Sequence, residues 1–151
     1  MATKTEIQSL FKELGVEPKL DTLNDRIKIQ KLVYLSEISG IDLGFAFRWY
    51  IHGPYSPELT RVLFGKETGT PSNLSNHKFR KELDGLKSII GDAIRSSSSL
   101  ELIASLHYVL SIAKRQQSSE KEALEIIHEQ KPQFTKEDVH GGLKIARKLL
   151  Q

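Results

Sequence analysis

Apolar positions recur along this chain with a helical period over most of its length and with a period of two in one place. Ile7, Leu10, Phe11 and Leu14 fall at i, i+3, i+4 and i+7, the single stripe of a short amphipathic helix. Gly15 stands where a C-cap belongs, and Pro18 keeps the following residues extended. The next helix is predicted from Thr22 to Ser39. Its Ile27, Ile29, Leu32, Val33, Leu35 and Ile38 cover more than one face, which predicts burial on several sides, and Gly40 ends it. Then the period changes. Phe45, Phe47, Trp49 and Ile51 alternate with Ala46, Arg48, Tyr50 and His52, the mark of an extended segment with one apolar face. Gly53 and Pro54 break that segment. Ser56 is a good N-cap, and Pro57 follows at the first helical position, where a missing N–H costs nothing. Leu59, Val62 and Leu63 continue the new helix, and residues 65–76 read as a surface loop.

The second half is helical throughout. One helix is predicted over residues 77–95. Ser98 and Glu101 supply a capping box for the next, whose Leu102, Ile103, Leu106, Val109, Leu110 and Ala113 make the broadest apolar face in the chain. Ser119 and Glu122 repeat the box before a shorter helix carrying Leu124 and Ile127, which Pro132 terminates. Thr135 and Asp138 cap the last helix, with Val139, Leu143, Ala146 and Leu150 as its stripe. Its Lys144, Arg147 and Lys148 suit the negative end of the helix dipole.

The expected fold is therefore mainly α: a compact multi-helix domain, single over residues 1–151, with one short extended β segment. The backbone of that segment needs hydrogen-bonding partners if it is buried. The best internal candidate is the 65–76 loop, and a hairpin wing of that kind would make the domain winged-helix-like. Pairing with a partner chain is the alternative.

Composition narrows the class. The content is 38% hydrophobic and 27% charged, that of a globular chain rather than a disordered one. No apolar run approaches the roughly 20 residues that span a bilayer, and the N-terminus lacks the apolar core of a signal peptide, so no membrane is expected. The absence of cysteine removes disulfides and thiolate chemistry and suits a cytoplasmic location. The net charge of +3 divides into +2 over residues 1–100 and +1 beyond them, without the clustered basic face typical of nucleic-acid binders.

Candidate chemistry is sparse. Two E-x-x-H pairs, Glu125 with His128 and Glu137 with His140, have the spacing of carboxylate-bridged metal bundles. Each pair is rotated about 100° from the apolar stripe of its helix, so both are expected to face solvent and no metal is expected. His107 lies among apolar positions and reads as a core-edge histidine with one hydrogen bond. No phosphate-binding or nucleophile motif occurs, so neither an enzymatic activity nor a cofactor is expected. "RIKIQK", Arg26 to Lys31, is the most basic run and reads as a solvated stripe, or else as contacts to phosphates and base edges.

"KIQKLVYLSEISG" followed by "FAFRWYIHGPYSPEL", then "LELIASLHYVLS" and "KPQFTKEDV", resembles the YwgA-like family of bacteria and archaea over nearly the whole chain. More distantly, the "QKLVYL" and W-x-x-x-G-P core resembles the Panacea (SocA-like) antitoxin domain, with Tyr55-Ser56 in place of the apolar residue usual after Gly-Pro. That resemblance implies a mainly helical module that neutralises toxins by direct protein contact.

The eleven residues "WYIHGPYSPEL" are expected to form a stiff elbow. Pro54 and Pro57 fix φ, Gly53 permits a tight turn and Ser56 locks the helix start. Phe47 and Trp49 are expected to anchor the elbow in the core, and Gln30, Lys31 or Tyr34 to satisfy its polar groups. Arg48, Tyr50 and His52, with Tyr55 at the bend, are left as candidate recognition residues. Three functions follow from this reading. The first is a protein-interaction module with a partner protein, a toxin among the kinds implied. The second is a winged-helix-like DNA-binding regulator, and the third an enzyme without a recognisable motif.

Overall fold

The computed structural model describes residues 1–65 and 79–150. Its elements run α1 (Lys4–Leu14), α2 (Leu23–Ile38), β1 (Arg48–Tyr50), β2 (Gly53–Tyr55), α3 (Pro57–Phe64), α4 (Arg80–Ile90), α5 (Ser97–Arg115), α6 (Glu120–Gln130) and α7 (Lys136–Leu149), with a 3-10 turn over Gly91–Arg95. The domain is mainly α, as the apolar periods predict.

Local chemistry sets the ends of these helices. Thr22 caps α2 through a reciprocal pair with Asp25, and Thr135 does the same with Asp138 for α7. Gly15 closes α1 in the left-handed region at φ 75°. Two expectations change. The helix predicted over 77–95 is described only from 79 onward and gives way at Gly91, whose φ of 59° breaks the α ladder. The N-cap of α5 is Ser96, whose Oγ accepts from the Ser99 N–H, and not Ser98. Glu101 is therefore free of capping duty, and its carboxylate goes elsewhere.

The long helix α5 is the central element, packed against α2, α6 and α7. It divides the interior into two clusters. Its N-terminal half closes the larger one with α1, α2, α3 and α4, where Phe11, Leu32, Leu35 and Leu100 are fully buried. Its C-terminal half shares the smaller with α6 and α7 through Leu106, Ile127 and Ala146. Gly142 lets α7 approach closely, because a Cβ there would press on Leu102 and Leu106.

The extended segment begins earlier than expected and pairs within itself. Ile41, Leu43 and Phe45 point inward and Phe47 is half-buried. The Glu37 carboxylate accepts from the Leu43 and Phe45 N–H groups at 3.0 Å each, and the Leu43 carbonyl accepts from Ala2. The ladder itself is short: β1 pairs antiparallel with β2, matching Arg48 to Tyr55 and Tyr50 to Gly53. The elbow thus folds back on itself as a hairpin, with Gly53–Tyr55 as its partner, where the sequence predicts pairing with the 65–76 loop. That loop, beyond Gly65, falls outside the described residues.

Candidate functional site: the elbow and the cleft beside it

The hairpin is fastened from beneath by side chains that are themselves buried. Gln30 reads the Ser56 backbone on both sides, donating to its carbonyl at 3.0 Å and accepting from its N–H at 2.9 Å. Lys31 Nζ donates to the Pro54 carbonyl at 2.7 Å. Lys131 Nζ donates to the Ile51 carbonyl at 3.1 Å. Ser56 Oγ accepts from the Leu59 N–H, and Pro57 opens α3, as their positions predict. Gly53 has φ 93°, and a Cβ there would collide with Ser105 Oγ, so both backbone and space require glycine.

The two lysines differ in their counter-charges. Lys131 faces Glu101 at 2.8 Å, and His52 approaches the same carboxylate at 3.3 Å from the hairpin turn. Lys31 is equally buried, yet its hydrogen bond among the described residues is to a neutral carbonyl. Burial pushes its amine down to about 7; the charge of Glu101 resists that shift and Lys131 adds to it.

Gln30 and Lys31 thus do what was expected of them at the elbow. Tyr34 does not: its O–H donates to His107 Nδ1 at 2.7 Å, and its ring meets Phe47 edge-on at 5.3 Å. The basic run from Arg26 is accordingly no solvated stripe, because Gln30 and Lys31 turn inward and the Arg26 guanidinium donates to the Leu20 carbonyl. His107 has more company than expected. Besides Tyr34, the Leu149 carbonyl accepts from its ring, and burial holds it down at about 4, the neutral form. Ser111 Oγ lies 3.4 Å from Nδ1, but it donates to the His107 carbonyl, so the pair is not arranged as base and nucleophile.

The strand faces divide almost as predicted. Arg48 and Tyr50 are exposed, and His52 is half-buried against Glu101. Trp49 is only half-buried, stacked over Tyr108 at 5.7 Å and beneath the Lys131 ammonium at 5.6 Å. Ile51 reverses expectation. It is 86% exposed, because it occupies the two-residue turn between β1 and β2, where alternation ends. Both E-x-x-H pairs face solvent, as their rotation predicts.

Beside the hairpin lies a cleft of about 410 Å³, walled by α2, α3 and the hairpin turn. Ile51 stands on its rim with Phe64, Leu23 and Tyr50, which are 58%, 53% and 45% exposed. The polar groups in its wall include Arg26, Lys31 and His52, and no carboxylate among the described residues joins them. Tyr55 meets Tyr50 edge-on at 5.1 Å, and its hydroxyl bonds Thr60 at 2.8 Å, which stiffens the hairpin side. Periodicity missed Leu23 and Phe64. Phe64 lies off the stripe that Leu59 and Leu63 define, whereas Leu23 stands one turn before Ile27 at the start of a helix that has no single apolar stripe. Glu101 and Lys131 were missed because nothing local marks an ion pair between residues thirty positions apart.

Among the described residues no helix is long and apolar enough to cross a membrane. No family model matches the chain, and neither a curated protein nor a solved structure matches it.

Proposed function

We propose that this chain is a protein-interaction module whose elbow and adjoining cleft receive a segment of a partner protein. The observation that carries this reading is the cluster of Leu23, Tyr50, Ile51 and Phe64, four large apolar side chains left exposed around one concave surface. Folding gives no reason to expose them together, and contiguous apolar patches of this kind mark binding sites. The support beneath is rigid. Gln30, Lys31, Lys131 and Glu101 fix the hairpin by buried hydrogen bonds, so little order would remain to be gained on binding. Charge complementarity specifies the occupant. A wall holding Arg26, Lys31 and His52, without a carboxylate among the described residues, favours a segment bearing both apolar side chains and acidic groups.

The more distant resemblance to the Panacea-like domain points in the same direction and supports a role as an antitoxin or defence-system accessory, with a toxin as the partner. The DNA-binding alternative is weakened, because Gln30 and Lys31 of the basic run turn into the protein. The reading assigns no catalytic residue and no cofactor.

Affinity capture from the source cells tests it by comparison. An Ile51→Asp, Phe64→Asp double variant should lose a protein that the wild type retains, with the thermal midpoint unchanged. A Glu125→Ala, His128→Ala control, exposed on α6 and outside the cleft wall, should retain it. Retention by both variants, or the lack of any protein distinguishing them, would refute the proposal.

A further inference from the structure

We infer that the cleft contains an anion subsite at Lys31, which takes one carboxylate from an Asp or Glu side chain flanked by apolar residues in the docking segment. The inference rests on the docking reading and gives that occupant its chemistry.

The argument starts from what Lys31 lacks. An ammonium has three donors. Among the described residues one of them reaches an acceptor, the Pro54 carbonyl. Buried charges are normally paired, and the neighbouring carboxylate is already committed: Glu101 on α5 faces Lys131, which follows α6, and His52 on the hairpin turn. Arg26, five residues before Lys31 on α2, brings a second positive charge to the same wall. Lys31 is therefore a buried amine that lines an open apolar cleft and, among the described residues, has no anion of its own. A carboxylate arriving on an apolar chain would supply the missing acceptor, and the walls would cover its methylenes. A cation would meet like charge, and a purely apolar chain would leave the ammonium as it is. The low proton affinity of the free amine fits this picture, since burial, with Lys131 nearby, makes the charged form costly and Glu101 offsets only part of that cost.

Octanoate, octanol and octylammonium serve as fragment probes of equal chain length, titrated against the whole protein by NMR. At pH 6.5 octanoate should bind at least about tenfold more tightly than octanol, as expected for a hydrogen bond to a charged group, and octylammonium should bind least. That preference should shrink as pH rises through about 7 toward 9, because the Lys31 amine loses its proton there. Lys31→Met should abolish it while octanol still binds. If that variant fails to fold, the pH profile decides, read in His52→Gln protein so that the imidazole on the same wall does not contribute. Equal binding of octanoate and octanol, absence of binding by both, or a preference that ignores pH would overturn the subsite. The docking proposal would survive each of these, because it is tested separately at Ile51 and Phe64. Affinity that keeps rising from octanoate to palmitate would identify the occupant as a lipid chain and overturn the assignment to a protein side chain.

Discussion

Two grooves of nearly equal size flank the hairpin, about 410 Å³ on the α2–α3 side and about 420 Å³ on the α5–α6 side. Successive residues of β1 supply one wall of each: Tyr50 faces the first and Trp49 the second. Volume does not distinguish them; side chains do. The first groove exposes four large apolar groups on its rim over a cationic wall. In the second, Trp49 stacks on Tyr108, Glu122 contributes a carboxylate, and Ile126 alone among the described lining residues is a strongly exposed large apolar group. One groove looks like unfinished packing that awaits a partner, and the other like packing that the fold has largely completed.

The largest effect should come from the support that both grooves share. Glu101→Leu would leave Lys131 buried without its carboxylate, at a cost of about 3–5 kcal/mol. Thermal or urea unfolding should register it, and both grooves should suffer together. An unchanged midpoint would show that the Glu101–Lys131 pair does not hold the hairpin.

Trp49→Ala separates the grooves. Trp49 is half-buried, so its loss should cost about 2 kcal/mol, below the roughly 3–5 of a fully buried aromatic. Binding at the α2–α3 groove should persist at temperatures where the variant stays folded. Loss of binding without loss of stability would make the α5–α6 groove the functional one.

Lys31 should show the contrast through pH. Its proton affinity is lower in the folded chain, about 7 against an ordinary 10.5, so between those values the unfolded chain binds more protons. Stability from this group therefore increases as pH rises through that window, by up to about 1.4 kcal/mol per pH unit. The difference between wild type and Lys31→Met should grow in favour of wild type from pH 7 to 10. A difference independent of pH would mean that Lys31 is adequately paired.

The smallest stability effect belongs to Arg48→Ala with Tyr50→Ala. Both side chains are exposed, and each change should cost within about 0.5 kcal/mol. If the double variant unfolds, that strand face belongs to the core.

Much of this arrangement was legible in the sequence, and the remainder was hidden for identifiable reasons. Helical periods located α1, α2 and α5, because burial repeats every 3.6 residues regardless of partner. The reach of Gln30 and Lys31 to the elbow was also foreseeable, since a helix buried on several sides must find acceptors for its polar tips. The hairpin was not. Alternation says which side chains share a face but not where the strand turns, and Ile51-His52 carries none of the Asn-Gly or Gly signals that mark two-residue turns. Alternation therefore places Ile51 inward, although it is the most exposed of the rim residues. Glu101 is hidden for the opposite reason. Ser98-x-x-Glu101 fits a capping pattern, and the ion pair with Lys131 that claims the carboxylate comes from tertiary structure.

The most direct test of the docking account is site-specific photo-crosslinking in the source cells, with the reactive side chain placed at position 51 or at position 126. The account predicts a discrete covalent adduct with a partner protein from position 51 and none from position 126. An adduct from position 126 alone, or none from position 51, would contradict it.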